Sequence, residues 1–166
     1  MADIVPISRA GLTRPRLATR HAVPATTWYE RGRALEATDG DAALVAYGRA
    51  VAGRPDLADA WNNLGRLRHD RGELAAAEGC YRLAICGDAG IALYWFNLGV
   101  AVEDLGRHAE AMAAYERAIE LDAACADAHY NLARLCESRK HELVFAQRAV
   151  RHYAAYRQLS RLRTFR

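Results

Sequence analysis

The feature that most constrains this chain is a segment that is followed directly by a near copy of itself. Residues 61–88 read WNNLGRLRHDRGELAAAEGCYRLAICGD, and residues 95–122 read WFNLGVAVEDLGRHAEAMAAYERAIELD. A Trp, a Leu-Gly pair, a second Gly, an Ala, a Tyr and a further Ala recur at the same offsets in both segments, so one period runs from Trp61 to Trp95. A fixed period of this length is typical of arrays in which every repeat is one small structural unit, so it determines the fold class.

Each repeat predicts two helices. The first helix of the third repeat spans about Trp95 to Leu105 and ends at Gly106, and the second spans Ala109 to Leu121 with apolar residues every three or four positions. A single helical hairpin cannot bury its apolar face, whereas stacked copies share one continuous core. The sequence therefore predicts an all-α solenoid of stacked helix-turn-helix repeats.

Small residues in the repeat indicate where its two helices approach each other. We expect close contacts at Gly99 and Ala111, with Trp95 and Tyr115 filling the space between the helices.

This arrangement resembles the tetratricopeptide repeat (TPR) family over residues 25–160. The Trp, Leu-Gly, Ala, aromatic and Ala positions match, and the terminal Pro is present only at Pro55, with Ala89 and Ala123 in the next two repeats. The resemblance implies a right-handed α-solenoid that ends in a C-terminal capping helix, with first helices lining a concave face.

The repeats are predicted at about 25–57, 58–91, 92–125 and 126–160. In the first repeat, the step from Trp28 to Trp61 is one position shorter than the step from Trp61 to Trp95, so the turn before the second helix absorbs the difference. Asp39 or Asp41 can cap that helix.

The fourth repeat departs from the pattern. His129 stands where the other repeats have Trp, and the turn at 138–141 contains no glycine. We expect this turn to shift the register by one position, so that Ala146 and Val150 occupy core positions and residues 142–160 form the closing helix.

The chain has 166 residues and a net charge of +3, unevenly distributed. A flexible basic N-terminal tail is predicted for residues 1–24, and a basic C-terminal tail for residues 161–166. An Arg-rich start is also typical of an organellar transit peptide. Residues 145–166 contain six arginines and no acid, which leaves the repeat body acidic.

Composition favours a bacterial, cytoplasmic protein. Arginine is far commoner than lysine, the four cysteines form no C-x-x-C pair, and no apolar run is long enough to span a membrane.

The sequence also lacks the Gly-x-x-x-x-Gly-Lys, Gly-x-Gly-x-x-Gly, His-Glu-x-x-His and Gly-x-Ser-x-Gly motifs. We therefore predict no enzymatic activity, no cofactor and no metal site.

A ligand-binding groove is predicted on the first helices. Asparagine recurs at the same position of three successive repeats, and side-chain amides can pair with the backbone of an extended peptide. The alternative is that these amides bond within the array or to water.

Residues one turn apart share a helix face, which adds an apolar centre at Leu93, Phe96 and Val100. The predicted groove residues are Asn63, Asn97, Asn131, Phe96, Tyr130, Arg66, Arg134, Asp59 and Asp127. Packing against the next repeat is the alternative for Phe96.

These features predict a scaffold that binds a peptide or a partner protein. In TPR modules that hold the acidic C-terminus of heat-shock chaperones, basic residues occupy positions that are Leu93 and Asn97 here, so the resemblance excludes that ligand.

The alternative is a regulatory module that acts through its basic C-terminal helix on nucleic acid or an acidic partner. Residues 93–159 are loosely similar to the TPR half of bacterial MerR-like regulators. Nucleic acid is disfavoured because no aromatic residues suited to base stacking interleave the arginines. Self-association through the end repeats stays open.

Overall fold

The computed structural model describes residues 23–163, and this part of the chain folds into eight α-helices without a β-strand. The helices are α1 (Ala25–Leu35), α2 (Gly40–Gly53), α3 (Ala58–Asp70), α4 (Leu74–Gly87), α5 (Ala92–Asp104), α6 (His108–Leu121), α7 (Ala126–Glu137) and α8 (Leu143–Arg163). The predicted tails lie outside the described residues, apart from residues 23–24 and 161–163. Helix α8 continues to Arg163, past the expected boundary at 160.

Consecutive helices form four hairpins that stack into an array. Each second helix packs on its own first helix, and α2, α4 and α6 also pack on the first helix of the next repeat. Helix α3 also contacts α5, whereas consecutive second helices make at most marginal contact. In a solenoid of this type the first helices, here α1, α3, α5 and α7, line the concave face. The predicted TPR solenoid is confirmed.

A tyrosine ring packed on a glycine holds each of the first three hairpins together. An added Cβ at these glycines would lie only 2.6–2.8 Å from the tyrosine ring of the same hairpin: Gly32 with Tyr47, Gly65 with Tyr81, and Gly99 with Tyr115. The close approach predicted at Gly99 and Ala111 is confirmed, since both residues are buried. The first repeat keeps this pairing despite its shorter spacing.

Substituting Gly99 by alanine is expected to lower the free energy of unfolding by about 1–3 kcal/mol, because the new methyl group overpacks the Tyr115 ring. The control is Gly48→Ala in α2, where an added Cβ meets nothing within 4 Å. That variant should gain about 0.5–1 kcal/mol from helix propensity alone. Urea unfolding followed by circular dichroism compares the two variants. Equal stabilities would show that the Gly99 contact relaxes without cost.

The turns inside the hairpins follow the expected local chemistry. Gly106 ends α5 with φ +78°, a left-handed conformation that glycine adopts without steric cost, and Gly72 does the same after α3 with φ +74°. The Asp39 side chain accepts a hydrogen bond from the backbone N–H of Ala42 at 2.9 Å and thereby caps α2. Of the two candidate caps, Asp39 occupies the N-cap position.

The expected register shift in the fourth repeat is wrong. Val150 is 71% exposed, whereas Ala149, the unshifted counterpart of Tyr115 in the third repeat, is 6% exposed and belongs to the core. Helix α7 ends one position early and α8 begins one position late relative to the third repeat. The turn without a glycine is widened at both sides, so the repeat keeps its length and α8 keeps the unshifted register.

Candidate functional site: the concave face

Three first helices, α3, α5 and α7, each carry one row of residues along the concave face, beside the recurring asparagines. These rows are Asp59, Asn62 and Arg66 on α3; Leu93, Phe96 and Val100 on α5; and Asp127, Tyr130 and Arg134 on α7. Members of a row are three or four positions apart, so they lie on the same side of their helix. Leu93 is 53% exposed and Tyr130 is 41% exposed. Large apolar surface is thus accessible on the α5 and α7 part of the face.

Phe96 lies partly within the core. Its ring packs against Tyr115 with the ring centroids 5.9 Å apart, and the residue is half-buried. Packing within the array therefore accounts for one side of this ring, and the accessible part of Phe96 adds to the apolar centre.

A cluster of three tyrosines lies at the C-terminal end of the face. The Tyr130 ring lies 6.1 Å from Tyr153 and 5.1 Å from Tyr156, centroid to centroid. The Tyr153 hydroxyl donates a hydrogen bond to Glu137 at 2.9 Å. Tyr153 and Tyr156 are not among the predicted groove residues. Their separation by one helical turn on α8 is the signal that could have connected them with Tyr130.

The recurring asparagines are bonded within the array. The Asn63 amide donates to the Tyr47 hydroxyl at 3.2 Å, and the Asn131 amide donates to the Tyr115 hydroxyl at 3.3 Å. Asn97 instead donates to the Asn62 side-chain oxygen at 2.8 Å. Each amide has two N–H groups, so one internal bond leaves donor capacity. All three recurring asparagines are half-buried.

The same tyrosines join a carboxylate and an arginine into a network that occurs twice. Tyr115 donates to Glu103 at 2.8 Å, and Glu103 also accepts from Arg134. In the first two repeats, Tyr47 donates to Glu36, which accepts from Arg66 at 2.5 Å. The two predicted groove arginines are therefore held by ion pairs at the surface of the array.

The electrostatic setting keeps these tyrosines protonated. Burial raises the pKa of Tyr115, and its hydrogen bond to Glu103 raises that pKa further; burial and Glu36 do the same for the pKa of Tyr47. The middle repeat lacks the network because His69 and Val100 occupy the positions of the glutamate and the arginine.

The predicted acidic residues differ in their contacts. Asp59 accepts a hydrogen bond from the Tyr94 hydroxyl at 2.5 Å. The Asp127 side chain is exposed and makes no hydrogen bond or ion pair with another described residue. Within residues 23–163, no group of three or more His, Cys, Asp or Glu side chains is placed to hold a metal ion. None of the helices described is both long enough and apolar enough to cross a membrane.

Known structures with this fold include several MamA proteins. One MamA crystal structure is 19% identical over 86% of this chain and 81% of its own, with a TM-score of 0.77. A second is 23% identical over 82% of this chain and 73% of its own, with a TM-score of 0.73. A MamA fragment from Desulfovibrio magneticus RS-1 is 18% identical over 82% of this chain and 76% of its own, with a TM-score of 0.71. At these identities the likeness concerns the fold.

Comparison with curated proteins returned no match. A family model described as "Tetratricopeptide repeat" matches residues 31–93, and one described as "TPR repeat" matches residues 104–136. Together they cover more than half of the chain. The chain therefore belongs to the tetratricopeptide repeat family, whose stacked hairpins act as scaffolds for interaction with other proteins.

Proposed function

We propose that this chain is a non-catalytic scaffold that binds an extended segment of a partner protein on its concave face. The observation that supports this most is the exposed apolar surface of Leu93 and Tyr130 on that face. Large apolar side chains on a soluble surface, framed by polar residues, are typical of interaction sites. The TPR fold is also generally used for binding and not for catalysis.

The face is organised before a ligand arrives. Glu103 lies between Tyr115 and Arg134, so one network fixes α5, α6 and α7 relative to each other. A preformed site loses less conformational entropy on binding than a flexible one. In this proposal, Phe96 and Tyr130 contact apolar side chains of the ligand.

Polar residues on the same face provide register. The free amide capacity of Asn63, Asn97 and Asn131 pairs with the ligand backbone, and Arg66 and Arg134 flank the apolar centre. Aromatic residues and arginine are the usual energetic centres of interfaces. An affinity of about micromolar is what a small, partly polar groove provides.

Replacing Leu93 and Tyr130 together by alanine is expected to reduce partner retention by about tenfold or more, because both are large, exposed apolar side chains on the concave face. The matched control is Val45→Ala/Leu83→Ala, which removes two residues of similar exposure, 53% and 45%, from second helices. Retention is measured by quantitative pull-down, with folding checked by circular dichroism. If the partner is lost by Val45→Ala/Leu83→Ala and retained by Leu93→Ala/Tyr130→Ala, the concave face is not the binding site.

A second candidate is a regulatory module that acts through α8 on nucleic acid or an acidic partner. It is favoured by the exposed Arg151 and Arg157 on that helix and by the absence of acids from residues 145–166. Binding to nucleic acid weakens steeply as salt rises. Retention that disappears at high salt and is unaffected by Leu93→Ala/Tyr130→Ala would favour this candidate.

A further inference from the structure

We propose that the concave face is built for a positively charged ligand, namely an extended peptide segment in which lysine or arginine accompanies apolar residues. This inference rests on the proposed function and adds the chemistry of the partner. Two lines of acidic residues, here called rims, border the apolar centre of the face. The contacts of these acids do not neutralise their negative charge.

The rims arise because the four first helices run in the same direction. Equivalent positions in successive helices therefore lie along one edge of the face. At the edge formed by the first turns, Asp59 and Asp127 lie in the same row position as the exposed Leu93 between them. The opposite edge carries Asp70 and Asp104 at equivalent positions of α3 and α5, and Glu137, which lies one position earlier in its repeat, at the end of α7.

The arginines of the face do not neutralise these rims. Arg134 pairs with Glu103, whose side chain is only 10% exposed, and Arg66 pairs with Glu36, whose side chain is 28% exposed. Arg66 reaches Asp70 only through a longer contact of 3.4 Å. Both arginines are thus paired mainly with carboxylates that are more buried than Asp70 and Asp104 of the rims.

The rim acids themselves have mostly neutral or titratable partners. Asp59 and Glu137 accept hydrogen bonds from the hydroxyls of Tyr94 and Tyr153, which carry no positive charge. Asp104 contacts the His69 ring at 2.7 Å. Asp127 contacts no cationic side chain among the described residues. A ligand with positive charges on both flanks of an apolar centre complements this distribution, and an acidic ligand is repelled.

The tyrosine cluster provides a specific position for one cation. Tyr130 and Tyr156 are 5.1 Å apart, centroid to centroid, and the neighbouring Tyr153 is bonded to Glu137. A lysine or arginine side chain is attracted to aromatic ring faces, and more so beside a carboxylate. We place one basic side chain of the ligand here and its apolar neighbour over Leu93 and Phe96.

The test is selection from a random-peptide phage library against the full chain, followed by fluorescence anisotropy with the recovered peptides. We expect the recovered peptides to be enriched in lysine and arginine by about threefold over the input, and their affinity to fall several-fold as salt is raised. Recovered peptides with no charge bias, or rich in Asp and Glu, would overturn the inference.

Matched variants separate the charge of the rims from the charge of the whole chain. Asp104→Asn/Asp127→Asn removes one acid from each rim without changing side-chain volume, and should weaken the basic peptides by about fivefold. Asp41→Asn/Glu120→Gln removes the same charge from second helices and should leave binding within about twofold. Equal losses in both variants would show that only net charge matters and would contradict a built groove.

Other outcomes identify a different occupant or a different fault. Basic peptides that bind Leu93→Ala/Tyr130→Ala as well as the wild type would reject the concave face itself, and with it the proposed function. If peptides without charge bias are recovered and their binding still requires Leu93 and Tyr130, the preference for basic peptides is rejected and the binding face is kept. A dimer that dissociates in Asp104→Asn/Asp127→Asn would make the occupant a second copy. Peptide binding that appears only after the four arginines of residues 1–22 are changed to serine would make that segment the occupant. Either of these two results would overturn the inference that the face binds a peptide segment of a partner protein.

Discussion

Replacing Tyr115 by alanine is expected to lower the free energy of unfolding by about 3–5 kcal/mol. The residue is fully buried, and its ring packs on both Gly99 and Phe96. No neighbouring side chain can fill the space of a whole phenol ring, so the variant loses apolar burial and gains a cavity. Urea unfolding followed by circular dichroism measures the loss.

The phenylalanine variant separates the ring from its hydroxyl. Tyr115→Phe keeps the packing but leaves Glu103 and Asn131 without their hydroxyl partner, which is expected to cost about 1–2 kcal/mol. Tyr81→Phe is the control, since the Tyr81 hydroxyl makes no hydrogen bond to another described residue and should be nearly neutral on removal. If the two phenylalanine variants are equally stable, the Tyr115 network does not stabilise the array.

The fold was predictable because the repeat encodes it redundantly. Each of the first three hairpins places a glycine of its first helix against a tyrosine of its second, and this contact fixes both helices at once. The register of α8 was not predictable in the same way. Ala146 and Val150 also fit the apolar spacing of a buried helix face. Ala149 is buried in place of Val150 because the turn between α7 and α8 is longer, and its length depends on where the two helices end.

The positions of the groove residues followed from helix periodicity, but their bonding did not. Asn63 and Asn131 each find the hydroxyl of a tyrosine in the preceding repeat. Asn97 has the same spacing to Tyr81 and bonds elsewhere. In the middle repeat His69 and Val100 replace the glutamate and the arginine of the network, and Asn62 offers an acceptor where the third repeat has Phe96. Such choices depend on several side chains at once and leave no simple pattern in the sequence.

Two buried histidines form the junction between α7 and α8. His129 replaces the Trp of the other repeats, and its Nε2 lies 3.3 Å from the carbonyl oxygen of Ala123, just as the Trp95 indole N–H donates to Ala89 at 2.9 Å. A carbonyl only accepts, so Nε2 of His129 carries a proton. The Nδ1 atoms of His129 and His152 lie 2.9 Å apart, so one of them donates a hydrogen bond to the other.

This junction resists protonation. Burial lowers the pKa of His152 to about 4, and His129, Arg151 and Arg148 act on that pKa in the same direction. Arg148 is itself paired with Glu116 of α6, so these are the charged groups that face the histidines from the packed helices. In the unfolded chain the pKa of His152 returns to about 6.5.

The array is therefore expected to lose up to about 3 kcal/mol of stability from His152 as the pH falls from about 6.5 to about 4. In this window the unfolded chain binds a proton that the folded chain excludes, so the contribution is complete above the unfolded pKa and lost on acidification. Since carboxylates also titrate here, the measurement is the difference between unfolding curves of the wild type and His152→Asn across the window. His141→Ala, at a side chain that is 77% exposed, is the control and should follow the wild type. Parallel pH profiles for the wild type and His152→Asn would mean that the buried pair already shares a proton in the folded array, and that α7 and α8 stay docked in acid.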